Sequence, residues 1–248
     1  MASGARWWRR RASGSLTRRV VSGAAVGSLA LTAAAVVSIG YLHVVEHISP
    51  VRTMVSDYVF TDLGAVLLPA GMLTFAGAIA LASTVLVAER LAGRRIAALL
   101  GAGSVGLVLM ACFPGDATGA SSTATGLVHK AGGALLFGAM PVAGWLLAQR
   151  LRGGARVRRL AAALRQLALF DAAAFAIFLA TYLPGLGVTL PGGTVLAGIQ
   201  GLAERVALIP QVALVALVAA WLATRPNEQL AGTGRNPAVG RRPEEVPT

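Results

Sequence analysis

Residues Tyr41–Leu63 read YLHVVEHISPVRTMVSDYVFTDL, and this stretch is flanked by two long runs without a charged side chain, Val20–Leu42 and Leu63–Ala88. A helix rises ~1.5 Å per residue, so either run covers the ~30 Å of a bilayer's hydrocarbon. Lipid offers the backbone no hydrogen-bond partner, so both runs must be helical. The stretch between them is then a polar loop joining two membrane spans. It holds two of the three histidines and three of the ten acids of the chain.

The same pattern recurs four more times. Ile96–Phe113, Ala131–Ala148 and Val206–Ala223 carry no charge, and Leu167–Leu183 carries one acid, Asp171. The predicted fold is therefore all-α: a polytopic bundle of six transmembrane helices over residues 20–223. A basic tail (1–19) precedes it, and a Pro-, Gly-, Arg- and Glu-rich tail (224–248), read as disordered, follows. Composition agrees, with 56% apolar and 13% charged residues and a mean hydropathy of +0.70, whereas soluble domains run to about a quarter charged. The basic start resembles a secretory leader, but Val20–Leu42 exceeds a leader's apolar core, so a retained signal anchor is expected. Pro69, Pro141 and Pro210 fall inside spans, where kinks are expected.

The formal charge of +12 does not imply nucleic acid, because the arginines cluster between apolar runs rather than on one soluble face. All but three of the 22 Lys and Arg residues fall in the tails and alternate loops of one side; Arg52, Lys130 and Arg205 are the exceptions. The positive-inside rule then puts both termini in the cytoplasm and predicts a multi-pass protein of the cytoplasmic membrane. The single cysteine, Cys112, allows no intrachain disulfide. Gly23-x-x-x-Gly27 has the small-residue spacing of packed membrane helices, a spacing that abundant glycine also produces by chance.

The arginine-poor side is chemically mixed. All three histidines and half of the acids lie there, which makes His43, Glu46, His47, Ser56, Asp57, Asp62, Asp116, His129, Glu204 and Arg205 the candidate outer-face cluster. His43-Val-Val-Glu46-His47 has the H-x-x-E-H order of an inverted zinc-hydrolase motif. If helical, His43 and His47 share a face, and a third ligand would come from His129, Asp57 or Asp116. The competing reading is interfacial histidines that anchor a helix end, so no metal or other cofactor is expected. Ser56, Asp57 and Asp62 equally suit capping of the second span. Glu204 and Arg205 are adjacent, diverge on a helix, and should each pair elsewhere. Asp171 is an intramembrane acid near the basic side without a visible partner.

Ser49-Pro50 followed by Val55-Ser56-Asp57, then Phe113-Pro114-x-Asp116, His129 leading a Gly/Ala-rich span, and Gly201-Leu202-x-Glu204-Arg205 opening the last span recur together in one order. In these segments the chain resembles a bacterial family of six-span membrane proteins known as domain of unknown function 998, over roughly residues 20–223. Ser56-Asp57 is also distantly similar to eukaryotic six-span proteins of the autophagy-modulator and lipid-remodelling kind. The resemblance implies the architecture and an outward polar cluster, and it brings no activity. Two functions remain open: binding of a small molecule, lipid or protein at the outer face, or hydrolysis at the outer leaflet by His43, His47, Asp57, Asp116 or His129. Transport is disfavoured by uncharged span centres and the lack of an inverted repeat.

Overall fold

The computed structural model describes residues 4–117, 120–183, 188 and 192–225, with side chains from Arg19 onward. It contains α1 (Gly4–Val45), a 3-10 turn (Ser56–Phe60), α2 (Gly64–Ala88), α3 (Arg94–Cys112), α4 (Ala124–Arg150), α5 (Ala155–Ala180), α6 (Gly193–Gly198) and α7 (Gln200–Ala223). There is no strand among the described residues. Six helices are long and apolar enough to cross a membrane: Arg19–Val45 within α1, and α2, α3, α4, α5 and α7. The chain is a multi-pass integral membrane protein.

Sequential helices pack side by side, α1 on α2, α2 on α3, α3 on α4 and α4 on α5. The last helix, α7, sits between α5 and α1 and also touches α2 and α4, which closes the ring. Connections therefore alternate between two ends of the bundle. At one end, Arg225 meets Glu89 at 3.4 Å and Arg156 donates to the Thr224 hydroxyl at 2.7 Å. The other end gathers the 46–63 loop, residues 113–117 and 120–123, and the start of α7.

Several helices overrun the charge-delimited spans. One such difference is α5, which begins at Ala155 rather than Leu167. Residues 155–180 contain no Gly or Pro, and Ala, Leu, Arg and Gln are strong helix formers, so helix persists through arginines whose stems can reach the interface. Likewise α1 runs back to Gly4 without a break at residue 20. α2, α4 and α7 run on through Pro69, Pro141 and Pro210. The reading of the C-terminal tail as disordered falls on 226–248, outside the described residues.

Apolar contact does not by itself hold helices together in lipid, so close backbone approach and interhelical hydrogen bonds carry more of the weight. Ser28 Oγ donates to Ala78 O at 2.8 Å, Ser38 Oγ to Leu67 O at 3.0 Å and Ser104 Oγ to Ala76 O at 3.0 Å. Each such bond is worth about 0.6 kcal/mol in membrane helices. α3 and α4 meet through Gly106 and Gly132: a Cβ on Gly106 would lie 2.4 Å from Gly132 O, closer than real contacts allow. The Gly23/Gly27 spacing has no comparable role within the bundle, since Gly27 meets Leu81 of α2 while Gly23 faces open space. Asp171 does have a partner: Gln211 of α7 donates to its Oδ1 at 3.2 Å, with both residues fully buried. Asp171 Oδ2 and Gln211 Oε1 find no partner among the described residues.

Candidate functional site

The 46–63 loop starts where α1 stops. The last helical residue is Val45, and His47 adopts φ 49, a left-handed conformation that ends a helix and that histidine tolerates better than most residues. His47 is therefore exposed and off the helix, and the shared helical face that the H-x-x-E-H reading needs does not form. His43 stays on the last turn, its Nδ1 2.9 Å from the Tyr58 hydroxyl. Glu46 Oε1 and Tyr58 O lie 2.8 and 2.9 Å from the Thr61 hydroxyl, whose single proton serves one of them at a time. The same oxygen accepts from Gly64 N–H at 3.0 Å, so Thr61 does the capping expected of Ser56, Asp57 or Asp62 at α2. Asp57 instead bonds within the loop, accepting from Met54 N–H at 3.3 Å. Asp62 is exposed.

The first turns of α7 reach across to this loop and hold it. Glu204, 4% exposed, accepts from Val55 N–H and from the backbone of Ser56, so its carboxylate caps the start of the 3-10 turn. Arg205 turns the other way, as adjacent helical residues must. Its guanidinium donates to Thr53 O at 2.7 Å, Pro50 O at 2.9 Å and the Tyr58 hydroxyl at 2.9 Å. It also lies 5.7 Å from the centre of the Tyr58 ring. Leu202 N–H, unpaired within its own helix, donates to Val51 O at 3.0 Å. Loop and helix thus satisfy each other's open backbone groups. The hub is Tyr58, fully buried, which joins His43 of α1 to Arg205 of α7.

A second polar group lies over the start of α4. Asp116 Oδ1 accepts from the Thr123 hydroxyl at 2.6 Å and Thr123 N–H at 3.1 Å, and Lys130 Nζ lies 3.4 Å from Oδ2. The Thr123 hydroxyl above all, with its N–H and Lys130, holds the Asp116 carboxyl below its ordinary value against a smaller opposing effect of burial. His129 is buried, with Nδ1 2.9 Å from Phe113 O. A carbonyl only accepts, so Nδ1 carries a proton and donates there.

Between these groups lies a cavity of about 220 Å³. Ser56, His129, Lys130 and Glu204 give it a polar side. Met110, Phe137, Phe175, Phe178, Leu179 and Tyr182 give it an apolar one. The aromatic wall is ordered by packing: Phe137 stacks on Phe175 with centroids 5.4 Å apart, and Tyr182 meets Phe178 edge-on at 5.3 Å. Lys130, Ala134 and Leu179 are exposed on the outside of the bundle, so this lining reaches its lipid-facing surface.

The structure brings Ser56, His129 and Glu204 to one cavity and puts His43, Glu46 and Arg205 in the clamp beside it. His43 and His129 serve different partners, and no three His, Cys, Asp or Glu side chains gather as a metal centre would among the described residues. Sequence reasoning missed the bridging role of Tyr58 and the aromatic wall. Phe175 and Phe178 on α5, with Tyr182 in the turn that follows it, were the available signal, since the spacing i, i+3 and i+7 keeps to one helical face.

No curated protein and no solved structure matches the chain. A family model described as protein of unknown function, DUF998, matches residues 28–221, from the middle of α1 to near the end of α7. That match takes in every span and both polar groups, and the chain belongs to this family.

Proposed function

We propose that the protein binds an amphipathic small molecule or lipid in the cavity between α4, α5 and α7, at the end of the bundle that faces away from the cytoplasm. The observation that carries this reading is the two-sided lining, aromatic along α4 and α5 and polar at Ser56, His129, Lys130 and Glu204. Ligand sites characteristically combine an apolar wall with a few convergent polar groups. At about 220 Å³ the space is smaller than the ~300–1,000 Å³ of drug-sized sites, so it takes a small molecule or one segment of a lipid. The exposed Lys130, Ala134 and Leu179 favour entry from the membrane, with Lys130 and His129 at the ligand's polar end. The orientation rests on the arginines that crowd the opposite end.

A phospholipid with a diazirine on its acyl chain, photolysed in reconstituted vesicles, tests this. Crosslinks should concentrate at Phe137, Phe175 and Phe178 and disappear in Gly133→Phe, which fills the cavity. Labelling spread evenly over the lipid-facing residues, and unchanged in that variant, would refute it.

A further inference from the structure

At the opposite end a groove of about 590 Å³ runs between the α2–α3 turn, the α4–α5 turn and the end of α7. Arg90, Arg150, Arg152 and Arg225 line it, with Trp221 and Val157 among its apolar residues. Arg225 stacks over Trp221 at 4.8 Å and meets Glu89 at 3.4 Å. Glu89 is the one acid in the turns and helix ends at this end among the described residues. Arg90, Arg150 and Arg152 are exposed and make no ion pair with a described residue. Four arginines along one concave surface, with Glu89 the single carboxylate beside them among the described residues, leave a strong positive field there.

The local backbone sharpens this. Leu91 and Ala92 N–H both bond to Leu86 O, at 2.8 and 3.1 Å, closing α2 in a tight C-terminal turn. Arg90 sits at φ 57 in that turn, the left-handed position that glycine normally fills. The turn therefore keeps a cationic side chain where glycine would relax the backbone.

We propose that this groove holds the phosphate headgroup of an anionic phospholipid. Planar guanidiniums match phosphate oxygens in bidentate geometry. The arginines stand where a span meets the interface, with an indole as floor, and headgroups lie at that level. Free inorganic phosphate shares the chemistry but has no acyl chains to use the apolar part of the groove.

Melting of the detergent-purified protein is measured against added phosphatidylglycerol, phosphatidylcholine or inorganic phosphate at equal phosphorus concentration. Phosphatidylglycerol should stabilise the wild type, and the other two should not. Arg150→Gln/Arg152→Gln should weaken the apparent affinity on the order of tenfold or more. Arg95→Gln/Arg159→Gln, with the same change in net charge, should leave it within about twofold. Arg90→Gly gives the sharpest contrast: without lipid it melts at or above the wild-type temperature, and it still loses affinity for phosphatidylglycerol. Equal loss in the two double variants would overturn the site in favour of diffuse charge. Equal stabilisation by phosphatidylcholine or by inorganic phosphate would overturn the anionic-lipid assignment.

Discussion

Replacing Arg205 with Met should loosen the join between the first loop and the last helix, and the structure says by roughly how much. The guanidinium makes three contacts beyond its own helix, to Pro50 O, Thr53 O and the Tyr58 hydroxyl. Pro50 is exposed, so its carbonyl regains water at little cost. Thr53 O and the buried Tyr58 hydroxyl lose a charged donor, and hydrogen bonds to charged groups are worth about 1.5–3 kcal/mol each. Arg205 is itself half-buried, and solvent screening discounts that range to about 2–3 kcal/mol for the residue. In a chain of this size each kcal/mol moves the melting temperature ~2–4 °C, so Arg205→Met should melt roughly 5–10 °C lower. Hydrogen exchange at 50–60 should rise with it. Tyr58→Phe keeps the ring under residue 205 and removes only the bridging hydroxyl, so it should cost about 1 kcal/mol. If Arg205→Met melts within about 1 °C of wild type and exchange at 50–60 stays unchanged, the clamp does not hold the loop.

Gly201→Ala should break the same join by a different route, because the new Cβ would lie 2.2 Å from Thr53 O, a backbone atom that cannot swing aside; a loss above about 2 kcal/mol in melting measurements is expected. Asp116 has a depressed carboxyl, so its contribution is fully present above its unfolded value of 3.8 and is lost as the pH falls through its lower folded value. The melting gap between wild type and Asp116→Asn should accordingly hold at neutral pH and close as the pH drops below 3.8. Asp171→Leu and Gln211→Leu should each cost about 1–3 kcal/mol by orphaning a buried polar partner. The double variant should cost less than the two together, with a coupling of about 0.6–1.7 kcal/mol on denaturation. In a Cys112→Ala background, a membrane-impermeant maleimide should label Ser121→Cys in intact cells and Arg158→Cys only after permeabilisation, and the reverse pattern would invert the orientation.

The six spans were legible in the sequence because lipid leaves an uncharged run no alternative to helix. The start of α5 was not, because charge was used to delimit the spans, whereas the arginines of 155–166 continue the helix from its interfacial end. The H-x-x-E-H string misled for a conformational reason: one residue at φ 49 removes His47 from the face it was to share. Tyr58 reads in the sequence as one more interfacial aromatic. Its hub role needs a partner 147 residues away, Arg205, which no local pattern announces. Gln211 is uncharged and so escaped a scan for ionisable groups, though an amide in the middle of an apolar span, facing a buried acid, is a readable sign.

The loop that follows the first helix takes its hydrogen bonds from the last one, with Val55 and Glu204 separated by 149 positions. Chains are made from the N-terminus, and their early parts begin to fold before the later parts exist. Residues 49–58 must therefore wait, without Glu204 and Arg205, until nearly the whole membrane domain has been inserted. The final span thus acts as a completion signal, since a nascent chain lacking it can insert five helices and still have no finished pocket beside the 46–63 loop.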